Sequence, residues 1–183
     1  MWKVDEEIDL DNLAKLSAVY AKLTGATWFQ IDSHPILLLS GKMGSGKTTF
    51  TRYFVESLAE YFAIKKEDGF PNVNSPTYTI LNEYLFPEVK NGAGESLKVT
   101  HFDLYRIGSE TEFDELGFEE IWAKPGISLV EWWEKSGGFF KTYPFRIRLV
   151  FEEVSDEKRK ISGFLEGEGW SRPELKKLLK EVA

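Results

Sequence analysis

The chain has 183 residues, 42% of them hydrophobic and 15% aromatic, which excludes wholesale disorder and suits one globular domain spanning 1–183. A net charge of −7 excludes the overall basic surface through which duplexes and folded RNA are gripped, and zero cysteines exclude disulfides, thiolate metal sites and a cysteine nucleophile. No apolar run approaches the roughly 20 residues of a membrane span. The start, Met1-Trp2-Lys3-Val4-Asp5-Glu6-Glu7, lacks the basic and apolar regions of a signal peptide, so a cytoplasmic protein with no membrane contact is expected.

In chain order, Leu13, Leu16, Tyr20 and Leu23 mark the apolar face of a first helix, with Asp9 or Asp11 as N-cap and Gly25 just past its end. Thr27-Trp28-Phe29-Gln30-Ile31 reads as a short strand. Pro35 opens Ile36-Leu37-Leu38-Leu39, an apolar run suited to a buried parallel strand. Gly41-Lys42-Met43-Gly44-Ser45-Gly46-Lys47-Thr48 then fits a glycine, four free positions and Gly-Lys-Ser/Thr. Its glycines allow positive φ and let successive N–H groups approach phosphate oxygens. The next helix, Lys47 to Phe62, carries Phe50, Phe54, Leu58 and Phe62 at a helical step, and its first turn favours the same anion. Lys47 would face the β- and γ-phosphates, and the Thr48 hydroxyl would ligate Mg²⁺. Gly41, Met43, Gly44, Ser45, Gly46, Lys47, Thr48 and Thr49 are therefore the expected nucleotide-binding residues.

Beyond the helix, Lys65 to Asn72 is turn-rich, and Val73 to Ile80 and Leu81 to Leu85 are strand-like. Phe86 to Ser96 reads as a loop leading to a strand at Leu97 to Phe102 that ends at Asp103. One or two short helices fit Glu110 to Trp122, and Ile127-Ser128-Leu129-Val130 is a second apolar run, ending at Glu131. Phe145 to Phe151 and Lys160 to Leu165 suit an antiparallel hairpin, and Leu175, Leu178, Leu179 and Val182 a last helix. Lys158-Arg159-Lys160, and Arg172 with Lys176, Lys177 and Lys180, are either a local basic patch or, more plainly, a solvated strand edge and helix face.

Cleavage needs a metal-holding acid and a group to position the nucleophile. Asp103 and Glu131 each end a strand-like run, where an α/β sheet presents its ligands, so either could hold Mg²⁺ or orient water; otherwise they cap a turn and begin a loop. Thr77, behind Ser75-Pro76, could close on the γ-phosphate as a switch. His101 reads as packed or hydrogen-bonded in its strand, and Trp132 and Trp133 as packing or as a platform beside the nucleotide. An Asn/Thr-Lys-x-Asp guanine motif is not matched by Lys65-Lys66-Glu67-Asp68, which favours ATP.

Gly41 to Thr49, Ser75-Pro76-Thr77-Tyr78-Thr79, Asn82-Glu83-Tyr84, His101-Phe102-Asp103-Leu104-Tyr105-Arg106, Glu115-Leu116-Gly117 and Val130-Glu131-Trp132 together resemble, in order, the motifs of the TsaE (YjeE) family. The resemblance implies a three-layer α/β phosphate-loop fold with a mainly parallel central sheet and antiparallel additions in the C-terminal part. It also implies Lys47 on the phosphates, Thr48 and Glu131 at Mg²⁺, Asp103 as catalytic acid or base, Thr77 in the switch and Trp132 beside the site. The implied activity is weak ATP hydrolysis that drives a conformational step with TsaD and TsaB. Those partners carry threonylcarbamoyl transfer to adenosine 37 of tRNA, so contact of this chain with tRNA would be indirect. The family usually has Asp or Asn at Lys42, Pro or Ala at Trp133, and a shorter connection than Tyr84 to Val99. A nucleotide-gated scaffold and a small-molecule kinase, for which Arg106 would be the one nearby arginine, are the competing readings.

Overall fold

A computed structural model of the chain describes residues 3–64, 72–155 and 158–182. Seven strands form one sheet: β1 (Lys3–Ile8), β2 (Ile36–Gly41), β3 (Leu81–Lys90), β4 (Ser96–Asp103), β5 (Ile127–Glu131), β6 (Arg146–Glu153) and β7 (Arg159–Glu166). The helices are α1 (Leu10–Ile31), α2 (Lys47–Tyr61), α3 (Glu110–Glu115), α4 (Glu119–Trp122) and α5 (Lys176–Val182). Strand order is β1-β7-β6-β2-β5-β4-β3, and the four central strands from β6 to β4 run parallel.

Alternation along the central strands divides the core in two. Leu37, Leu39, Leu129 and Ile147 face α1 and α2, while Ile36, Leu38, Phe102 and Val130 face the α3 and α4 side, where Phe113, Trp122 and Phe140 pack. These are the three expected layers. The antiparallel additions extend beyond the C-terminal part, because β1 pairs with β7 and β3 pairs with β4. The acidic Lys3–Ile8 segment carries no apolar run, and its strand is defined by pairing with β7.

Several boundaries differ from the sequence reading. Gly25 lies inside α1: a Cβ there would meet Leu58 at 2.9 Å, so the glycine permits close approach of α2. The Thr27 to Ile31 segment is the last part of α1, capped by Asp32 at φ 47°. Thr27 is fully buried there, and its hydroxyl is satisfied by donating to the Leu23 carbonyl at 2.7 Å. Asp9 is the N-cap, accepting from the Asn12 amide at 2.9 Å. Val73 to Ile80 forms no strand. The Ile80 amide donates to the Pro76 carbonyl at 2.6 Å and Ile80 sits at φ 67°, so the chain turns before β3. The expected loop from Phe86 is strand up to Lys90, with Phe86 and Val89 buried; the longer Tyr84 to Val99 connection is a hairpin extension closed by a turn at Asn91. The turn expected at Lys65 to Asn72, and the string used to judge base preference, lie outside the described residues except for Asn72.

Candidate functional site

The phosphate loop links β2 to α2 at the carboxyl end of the parallel strands, the edge where α/β sheets receive ligands. Gly44 at φ 77° and Gly46 at φ 102° hold the loop open, and a Cβ added at either would point into free space. Gly41 is confined instead: at φ 148°, its Cβ would come within 2.7 Å of the Phe151 carbonyl oxygen and of Ser45 Oγ. Ser45 is buried and its amide donates to the Lys42 carbonyl at 3.2 Å, so it braces the loop from within.

Lys47 is only 4% exposed. Its ammonium donates to the Gly41 and Lys42 carbonyls, each at 2.9 Å, lies 4.0 Å from Glu131 Oε2 and sits 4.7 Å from the centre of the Trp132 ring. Burial pulls its pKa below the usual lysine value, while the carboxylates of Glu131, Asp103 and Glu134 oppose that pull. Thus Lys42, unusual for the resembled family, contributes its carbonyl, and its side chain is exposed.

Parallel pairing sets Asp103 beside Glu131 at the ends of β4 and β5. Glu131 Oε1 accepts from Thr48 Oγ1 and faces His101 Nε2, both at 2.9 Å. Asp103 Oδ2 accepts from Thr77 Oγ1 and, at 3.2 Å, from Ser75; its Oδ1 accepts from the Tyr105 amide at 3.0 Å. The Ser75 and Thr77 hydroxyls are themselves 2.7 Å apart. A cleft of about 190 Å³ runs between these groups, with Met43, Thr48, Thr49, Thr77, Asp103, Glu131 and Trp132 in its walls. Ser75 and Tyr105 also line it, although the sequence singled out neither as a site residue.

Trp132 holds a left-handed backbone at φ 57°, costly for a bulky residue, and a clamp behind it secures the conformation. Trp133 Nε1 donates to Ser40 Oγ at 2.9 Å, and Ser40 donates to Glu134 Oε1 at 2.5 Å. Trp133, another departure from the resembled family, therefore ties the segment after Glu131 to the strand that carries the phosphate loop. Arg106 lies 5.5 Å from the exposed Tyr78 ring. Of the basic residues, Arg159 donates to the Ser155 carbonyl in the β6–β7 turn and Arg172 lies over the Phe145 ring, so both have local structural roles.

Oxygen donors dominate the cleft. Among the described residues no group of three or more His, Cys, Asp or Glu side chains could enclose a metal. Thr48 and Glu131 fit Mg²⁺, which is held by one or two protein oxygens together with phosphates and waters. No helix among the described residues is long and apolar enough to cross a membrane.

The family model described as "Threonylcarbamoyl adenosine biosynthesis protein TsaE" matches residues 10–161. Proteins named "tRNA threonylcarbamoyladenosine biosynthesis protein TsaE" are similar over much of the chain. The one from Bacillus subtilis is 32% identical over 163 residues, covering 88% of this chain and 82% of its own. That from Aquifex aeolicus is 35% identical over 126 residues, covering 69% and 74%. A crystal structure of YdiB from Bacillus subtilis superposes with a TM-score of 0.59 at 24% identity, covering 99% of this chain and 94% of that one, and shares the phosphate-loop fold. On the extent of these matches, the chain belongs to the TsaE family.

Proposed function

We propose that this chain is a Mg²⁺-dependent ATPase that serves N6-threonylcarbamoyladenosine formation at position 37 of tRNAs reading codons starting with A. It works in the cytoplasm with TsaD and TsaB homologues, which carry the transfer chemistry, and its contact with tRNA is indirect. The observation that carries the reading is the buried Lys47, set in a phosphate loop within 4.0 Å of a carboxylate at the end of the adjacent strand. Burial disfavours the charge of a lysine so placed, and a bound triphosphate would offset that cost.

The loop amides and Lys47 take the β- and γ-phosphates, with Lys47 exchanging its carbonyl partners for phosphate oxygens. Thr48 and Glu131 hold Mg²⁺, which when bound neutralises charge on those phosphates. Asp103 orients the attacking water and takes its proton once Thr77 and Ser75 turn away. Trp132 walls the site beside Lys47.

The test is phosphate release by the chain alone and with purified TsaB and TsaD, with and without tRNA. Strong stimulation only in the mixture supports the reading, and Lys47→Ala should abolish release and tRNA modification together. A nucleotide-gated scaffold is the second reading, favoured by one observation: Asp103 has both oxygens engaged by Thr77, Ser75 and Tyr105. Full modification by an Asp103→Ala protein that binds but does not split ATP would select it.

A further inference from the structure

His101 is fully buried on β4, two residues before Asp103 and on the same face of the strand. Its Nε2 lies 2.9 Å from Glu131 Oε1, the oxygen that also accepts from Thr48 Oγ1 at 2.9 Å. Its Nδ1 is buried and has no hydrogen-bond partner among the described residues. That asymmetry assigns the proton. A carboxylate oxygen accepts, so Nε2 carries the hydrogen, and Nδ1 has no acceptor to receive a second one. The other histidine in the chain is arranged the opposite way: His34 Nδ1 lies 2.6 Å from the Lys124 carbonyl, which can only accept, and its Nε2 lies 2.8 Å from Ser128 Oγ.

The two groups that meet at Glu131 Oε1 have different futures in a loaded site. Thr48 is a magnesium ligand under the reading above, so on loading its oxygen turns to the ion. His101 is walled in by the sheet and stays. We infer that His101 is the positioning residue of the magnesium site: it fixes the rotamer of Glu131 through Nε2–H and keeps the other carboxylate oxygen, Oε2, facing the cleft 4.0 Å from Lys47. A histidine donating to a ligand carboxylate is a general means of orienting a metal's protein ligands, and loss of such a partner typically weakens metal binding about 10- to 100-fold. The inference rests on the proposed magnesium-dependent reading and adds to it a residue that touches neither metal nor nucleotide.

The experiment is calorimetry of ATP binding by the full chain, first in EDTA and then across a magnesium titration. His101→Phe keeps the ring and removes the donor. His101→Gln restores an N–H near the Nε2 position. The expected result is unchanged ATP affinity in EDTA for both variants, a requirement for about 10- to 100-fold more Mg²⁺ by His101→Phe, and a requirement within about threefold of wild type by His101→Gln. Should His101→Phe fail to fold, His101→Asn, whose amide is too short to reach Glu131, supplies the same contrast. Nitrogen NMR of labelled histidine in the unaltered protein is a second readout: one Nδ1–H and one Nε2–H tautomer are expected, with only the latter shifting when Mg²⁺ is added to the ATP-loaded chain. A magnesium requirement in His101→Phe or His101→Asn within twofold of wild type, or an Nδ1–H tautomer at His101, overturns the inference. Failure of the unaltered protein to bind ATP at all would instead strike the proposed function.

Discussion

His34 gives the chain an acid-sensitive foundation, and lowering the pH is the perturbation that exposes it. Ser128 Oγ sits at the centre of a buried junction: it receives Trp122 Nε1–H at 2.9 Å, meets Thr100 Oγ1 at 2.6 Å and meets His34 Nε2 at 2.8 Å. Burial lowers the His34 pKa from 6.5 to about 4, despite the Lys124 carbonyl that favours the charged ring. The folded chain therefore keeps the imidazole neutral between about pH 4 and 6.5 while the unfolded chain protonates it. The unfolded state binds more protons in that window, so stability is whole above about pH 6.5 and is lost progressively as the pH falls towards 4. The gap, at about 1.4 kcal/mol per pH unit, bounds the loss at roughly 3 kcal/mol. His34 is only half-buried by accessible area, so about 2 kcal/mol, or 4–8 °C in Tm for a domain of this size, is the working figure. The assay is urea unfolding, followed by tryptophan emission, at several pH values from 7.5 to 4.5 for the wild type and His34→Asn. The asparagine can still donate to Lys124 but cannot titrate, so the two stability curves should converge as the solution is acidified. A constant difference across the whole range would refute the reasoning.

Three further outcomes follow from the geometry. Gly41→Ala should lose about 1–3 kcal/mol of stability and at least tenfold in ATP affinity, because its methyl would collide with Phe151 and Ser45; denaturant melts and calorimetry check it. Thr77→Val should raise the rate of phosphate release by the chain alone by about threefold or more while shifting KM less than about threefold, since it removes a donor that must turn away before Asp103 can take the proton and leaves the phosphate loop untouched; steady-state kinetics decide it. Ser128→Ala should destabilise by about 2–4 kcal/mol in urea through the partners it leaves unmet, and ATP affinity measured by calorimetry at pH 7.5 should be preserved.

What could be read from the sequence was local. The strand at Ile36, the loop from Gly41 to Thr48 and the helix after it are coded by neighbouring residues, and the apolar runs ending at Asp103 and Glu131 reveal their strand ends by composition alone. The boundaries that went astray depend on distant partners. Gly25 reads as a helix end because its reason for being glycine, the approach of Leu58, is 33 positions away. β1 exists through pairing with β7 near the other end of the chain, and no local pattern announces that. The same holds inside the site. The Asp103 hydroxyl cage, the Ser40 clamp on Trp133 and Glu134, and the His101 contact with Glu131 are tertiary contacts, each spanning at least 26 residues.

The way Lys47 is held has a kinetic consequence. With its ammonium docked on two carbonyls of its own loop, the cradle is internally cross-linked before any guest arrives. Under the proposed function, capture of a triphosphate would exchange one set of partners for another on a scaffold already formed, so little chain entropy would be lost on arrival. Association should accordingly run at the pace of diffusional encounter, and the slower event to look for in rapid mixing is rearrangement around Asp103.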